Sequence, residues 1–284
     1  LPMNMFKPKT DELGEQHTFP ITDYWHDAGL RAYTVHVIQR KREGHITQMN
    51  LSWGGSKDVT TAETPEEFRN WIDKVFIPQK IHEAKIAERL KMETFKPWMT
   101  EIDVWVRHQS WALEASDQEL LETGQYLLDA VAAAVRPHFK GRITPHTYSP
   151  GSALGSTINR ADARPIWKEL SFKGFDEVGL TFFPLCDLET SIADAQEQLE
   201  MMMYIVKRDS VQWVMTEMDT PHQSFASCGT DLFDQADEIW AAVLDIVFEQ
   251  EIPPIGVSTY GFGNIYSKEH KAVLEEKVFS RSSG

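Results

Sequence analysis

The chain has 284 residues and a formal net charge of −15. That acidic balance argues against nucleic acid or an anionic membrane surface as partner, since both need clustered Lys and Arg. With 42% hydrophobic residues the chain can bury a sizeable core, and a single domain over 1–284 of the α/β barrel class matches this length.

Leu1 to Phe6 reads as a short apolar strand, and Ile21 to Ala28 as a helix that Gly29 can end. Leu30 to Ile38 (LRAYTVHVI) is rich in β-branched residues and reads as a strand. Residues 39–63 read as a long polar loop. Thr64 caps a helix with Pro65 in its first turn, running to about Leu90, with a kink or break expected at Pro78. A strand over 95–100 ends on Thr100-Glu101, and a loop with Trp105 and Trp111 follows. Ser116 and Glu119 form a capping box for a helix to about Val135.

Arg142 to Tyr148 reads as a strand, followed by a Gly/Ser-rich loop to Asn159 and a short helix from Ala161 to Leu170. Phe175 to Phe183 is a strand, and Thr190 to Arg208 is a long helix whose Met201–Met203 run reads as core-facing. Val211 to Thr216 is a short buried strand that ends on Glu217. Leu232 to Glu249 is an amphipathic helix, Ile255 to Tyr260 a last strand, and Lys268 to Phe279 a last helix.

Strands and helices alternate throughout, which predicts a parallel sheet with crossover helices. The fold class expected is α/β, a TIM (β/α)8-type barrel. Seven strands are read where such a barrel has eight, so the first strand–helix unit is expected to lie upstream of Leu1.

Two cysteines, Cys186 and Cys228, form neither a metal motif nor a redox pair, and a disulfide and free thiols both stay open. No apolar run of about 18 residues exists, so no membrane span is expected. No signal peptide is read, and the start at Leu1 suggests processing or a longer parent. Asn50-Leu51-Ser52 is a glycosylation sequon that matters only in a secreted protein. Oligomeric state is not legible.

The chemistry rests on the two Thr-Glu strand ends. If the Leu1 strand is second of eight, Glu101 ends the fourth and Glu217 the seventh, both on the C-terminal face where barrel enzymes place their sites. Two carboxyl groups about 5 Å apart make a retaining glycosidase, one protonating the leaving oxygen and the other attacking the anomeric carbon. Against this stands the ordinary reading of each Glu as a loop-end acid in a chain with 43 Asp and Glu. Nine Trp, fifteen Phe and seven Tyr suit a neutral ligand held by aromatic faces, and equally a packed core. His36, His146 and His222 are open between sugar-hydroxyl contacts and core or surface positions. Trp98 is open between a sugar platform and packing. Asp176 and Glu177 open their strand at its N-terminal end and are not counted as catalytic. The histidines are too scattered to nominate a metal ligand set, and no cofactor is expected.

The spans KPWMTEID, VRPHFKGRITPHTYS, FDEVGLTFFPL and VQWVMTEMD resemble successive strands of clan A glycoside hydrolases, most closely family 113, the endo-β-mannanases and relatives. The resemblance covers most of residues 30–262 and is carried by the ordered set rather than by any one motif. It implies that Glu101 is the general acid/base and Glu217 the nucleophile. It implies that Tyr260 or Phe262 lies under the reacting sugar. Phe182 or Phe183 stands where the family tends to have a Tyr that reaches the nucleophile, and Met99 where it has a Gly. The implied activity is hydrolysis of a β-linked poly- or oligosaccharide, which favours a secreted or cell-surface setting. The alternative is a catalytically silent barrel that binds carbohydrate or serves in assembly.

Overall fold

The computed structural model describes residues 6–7, 21–22, 38–39, 41–42, 48–50, 62–97, 110–145, 168–182, 188–218 and 232–259. They divide into two compact units. One comprises Leu1–Pro145 with Gly174–Asp176, the other His146–Lys173 with Glu177–Gly284.

In the first unit, β1 (Phe6–Lys7) pairs antiparallel with β2 (Ile21–Thr22). The helix expected over 21–28 therefore does not begin at Ile21. Residues 38–39 and 41–42 are helical, so the strand expected over 30–38 does not reach Ile38. The stretch 39–63 holds a further strand, β3 (Gln48–Asn50), which runs parallel to β4 (Thr94–Lys96). β4 also pairs in parallel with β5 (Arg142–Ile143), giving the order β3-β4-β5. The strand beside β4 is thus 48–50 and not 30–38. The count of seven that motivated an upstream unit missed β3, because QMN is too short and polar to stand out by alternation. No closed sheet is formed among the described strands.

Between β3 and β4 runs one long helical stretch. Thr64 caps α1 (Pro65–Trp71), its hydroxyl accepting from the Glu67 amide at 3.1 Å. A π-helical turn, Ile72–Phe76, leads straight into α2 (Ile77–Arg89). Pro78 therefore does not break the helical stretch, and the irregularity lies just before it. Proline cannot donate to the ladder and its ring crowds the carbonyl four residues back. The wider turn just before it, where the Ile77 amide reaches back to Ile72 O, relieves that conflict. Phe68, Ile72 and Phe76 lie along one buried face of this stretch. α3 (Asp117–Val135) begins at the expected capping box, with Ser116 and Glu119 bonding each other's amides. It packs against α2 and buries Leu120, Leu127, Leu128, Val131 and Val135. Phe95 of β4 meets Phe139 with ring centroids 5.8 Å apart.

The second unit holds β6 (Glu177–Phe182), α4 (Leu188–Asp209), β7 (Gln212–Met218), α5 (Leu232–Phe248) and β8 (Val257–Thr259). All strand pairs are parallel, in the order β6-β7-β8. Two parallel strands joined by a helix, twice over, make a continuous βαβαβ run. α4 packs along α5. Leu199, Met202 and Val206 of α4 and Ile239, Val243 and Val247 of α5 are buried at helical spacing. Met202 and Met203 are buried as expected of a core-facing run. The last expected helix, over 268–279, lies outside the described residues.

Candidate active site

Glu217 lies inside β7 as its next-to-last residue, rather than just beyond a strand ending at Thr216. β7 is the middle strand of its sheet. Its neighbours end at Phe182 and Thr259, which pair with Met218, so all three C-terminal ends share one edge. Glu217 pairs with Thr181 one step before that edge. Tyr260 follows Thr259 in the chain and lies outside the described residues.

Sheet geometry explains why this edge suits chemistry. Parallel strands are covered by helices and read as apolar runs. Val178, Leu180, Phe182, Trp213 and Met215 supply that buried layer. The Trp213 indole N–H donates to the Ile252 carbonyl at 2.7 Å, tying β7 to the chain entering β8. Further ladder bonds join the Met215 amide to Gly256 O and the Ile255 amide to Trp213 O, each at 3.0 Å. A carboxylate borne here is held by a strand paired on both sides.

Phe182 is 1% exposed and shares its alternation with Val178 and Leu180. It packs within the buried layer of the sheet. Trp111 is likewise buried, its ring 6.4 Å from that of Phe68. Glu177 opens β6 at the end away from Phe182 and is 2% exposed.

In the first unit, β4 ends at Lys96, five residues before Glu101 in the chain. Thr94, Phe95 and Lys96 are all buried, so β4 is covered on both faces. The Arg142 guanidinium donates to the Thr94 hydroxyl at 3.2 Å across the β4–β5 pair. Glu101, Trp98, His36, His146 and His222 lie outside the described residues. Among the described residues no cluster of three His, Cys, Asp or Glu could hold a metal ion. None of their helices is long and apolar enough to cross a membrane.

Two features escaped the sequence reading. One is a run of buried polar residues on α2, namely Gln79, Lys80, His82 and Glu83. Nothing in a helix of mixed polarity marks which charges a tertiary structure will cover. The other is an irregularity in the β7 ladder immediately before Glu217, whose trace in the sequence is the uneven spacing of the apolar residues Trp213, Met215 and Met218.

No protein-family model and no curated protein sequence matches the chain. Solved structures do. A family 113 β-1,4-mannanase is 13% identical, with a TM-score of 0.58 over 87% of this chain and 78% of its own. A family 113 β-mannanase from Alicyclobacillus acidocaldarius is 12% identical, with a TM-score of 0.52 over 86% and 71%. A broad-specificity endoglucanase of family 5, subfamily 4, from an uncultured bacterium is 10% identical, with a TM-score of 0.60 over 96% and 79%. The chain shares its fold with clan A glycoside hydrolases and is similar in fold to those of family 113.

Proposed function

We propose that this protein is a retaining glycoside hydrolase acting on a β-linked poly- or oligosaccharide, with Glu217 as nucleophile and Glu101 as general acid/base. The observation that carries the reading is the position of Glu217 in the middle strand of a parallel sheet, one residue from its C-terminal edge. In folds of this kind that edge bears the chemistry. The glycosidase neighbours support the reaction class.

In the first step a Glu217 oxygen bonds to the anomeric carbon as the glycosidic C–O bond breaks. Glu101 gives its proton to the leaving oxygen. In the second step water replaces Glu217 at that carbon, and Glu101 takes back a proton. In the role of general acid Glu101 must carry its proton when substrate is bound. Trp98 follows β4 in the chain and Tyr260 follows β8, and both would offer ring faces to sugar. His36, His146 and His222 would bond hydroxyls. A polymeric substrate would place the reaction at or beyond the cell surface.

The test is hydrolysis of a panel of β-linked mannans, glucans and aryl glycosides by the full-length product, beside Glu217→Gln and Glu101→Gln. Loss of turnover in both variants, with azide restoring a Glu217→Gly variant as the glycosyl azide, is the expected result. A folded protein that binds glycans but cleaves none would transfer the reading to a silent, carbohydrate-binding barrel.

A further inference from the structure

In a parallel sheet the chain leaves every strand at the same edge and passes to the N-terminus of the following helix. Two such connections meet in the first unit. One runs from β3, which ends at Asn50, to α1, and the other from β4, which ends at Lys96, to α3. The Ser110 hydroxyl, in the second connection, donates to the Ala62 carbonyl, in the first, at 2.9 Å. Ala62 stands just before the Thr64 cap of α1. Ser110 opens a single 3-10 turn, Ser110–Leu113, ahead of the Ser116 cap of α3.

The next residue of that turn is Trp111. Its side chain is 9% exposed, and its ring is tilted against that of Phe68 in α1. Phe68 is fully buried and stacks in turn on Trp71. The Trp111 indole N–H is buried and finds no acceptor among the described residues. A buried donor left unpaired is a cost, so the ring area is what holds a Trp at this place. The hydroxyl of Ser110 and the ring of Trp111 thus join the two connections at their helix ends, by two different kinds of contact. Pro97, buried, directly follows β4. The chain is therefore anchored at Pro97 and again at Ser110 and Trp111, and Glu101 lies between those anchors in the sequence.

We infer that Ser110 and Trp111 are positioning residues, a clasp that anchors the connection bearing Glu101. The catalytic meaning of the clasp rests on the proposed role of Glu101 as general acid/base, while the anchoring itself does not.

The experiment compares Trp111→Ala, Trp111→Phe, Ser110→Ala and Ser110→Thr with wild type in the full chain, with circular dichroism confirming the fold. The ratio kcat/KM covers the steps up to the glycosyl-enzyme. In those steps a departing sugar needs the proton of the general acid, and dinitrophenolate, a stable anion, does not. A displacement of about 1 Å at a catalytic group can cost about 10²-fold. Trp111→Ala is expected to lower kcat/KM about 10²-fold on β-linked oligosaccharides, and less than about threefold on the dinitrophenyl glycoside of the same sugar. Ser110→Ala should show a smaller loss of the same kind. Trp111→Phe keeps a ring and removes only an unpaired donor, and Ser110→Thr keeps the hydroxyl, so both should stay close to wild type on both substrates. Equal losses on the two substrates, or a Trp111→Phe as damaging as Trp111→Ala, would overturn the inference. Backbone hydrogen exchange over residues 98–109 provides a second measurement that needs no activity. It is expected to run about tenfold faster in Trp111→Ala than in wild type or Trp111→Phe, with α5 unchanged in all three. Unchanged exchange over 98–109 in Trp111→Ala would overturn the clasp whether or not the protein cleaves glycosides. A wild type that cleaves none, with exchange behaving as expected, would defeat the glycosidase reading and the catalytic meaning of the clasp, and leave the anchoring established.

Discussion

Lys80 and Glu83 form an ion pair one turn apart on α2, at 2.8 Å, with 0% and 1% of their surfaces exposed. The Gln79 amide donates to the other Glu83 oxygen at 3.0 Å, and the Lys80 ammonium lies 4.8 Å from the centre of the Phe76 ring. Replacing Lys80 by Met keeps much of the stem but strands a buried carboxylate with Gln79 as its remaining partner in this group. Breaking one side of a buried pair costs about 3–5 kcal/mol. The pH dependence has a definite sign. Burial holds the Glu83 carboxyl above its ordinary 4.5, against the Lys80 charge and the hydrogen bonds from Lys80 and Gln79. A raised carboxyl favours folding below 4.5, and that contribution is lost as pH rises through the folded value. Lys80→Met removes the leading opposing influence and widens that loss. The variant should be little worse than wild type near pH 4.5, and worse by about 3–5 kcal/mol near pH 7.5. Adding Glu83→Gln removes the stranded charge and should recover most of the loss at the higher pH. Urea unfolding of the three proteins at both pH values measures this. A Lys80→Met loss equal at the two pH values, or a double variant no better than the single, would refute the reasoning.

Ser116→Ala removes the acceptor for the Glu119 amide and half of the capping box on α3. It should cost about 1 kcal/mol by thermal or urea unfolding. Gly141→Ala would set a Cβ 2.7 Å from the Glu93 carbonyl oxygen and 2.5 Å from the Phe139 ring. A backbone atom cannot give way as a side-chain tip can, so a loss of about 1–3 kcal/mol is expected from the same assay. Burial pushes the Asp209 carboxyl up, but the hydrogen bonds from Arg208 and the Phe172 amide and the Arg208 charge outweigh it and hold the group below 3.8. A depressed carboxyl contributes stability above its unfolded value and loses it as pH falls through the folded one. The stability gap between wild type and Asp209→Asn should therefore stay level above about pH 4 and close below it, as acid titrations of unfolding would record.

Local patterns determined much of this protein. The caps at Thr64 and Ser116, the helical stripes of α4 and α5, and the apolar run at β7 are written in contiguous residues. Their spacing alone yields a chain of alternating strands and helices and singles out Glu217 near a strand end. The tertiary structure decided what short-range pattern cannot carry. β3 is three residues of mixed polarity and is a strand because β4 lies beside it to bond. Pro78 stays in a helix because a π turn absorbs its missing donor, although proline read locally is a stop. Lys80 and Glu83 look like solvated charges of an ordinary helix until packing covers them and makes each depend on the other. Glu217 shows both sides most plainly. Its identity and its place near a strand end were legible, and so, in hindsight, was the uneven spacing of Trp213, Met215 and Met218. Its register was not legible, because that depends on pairing with two other strands, and only their ladders reveal that Thr216 is the residue in excess.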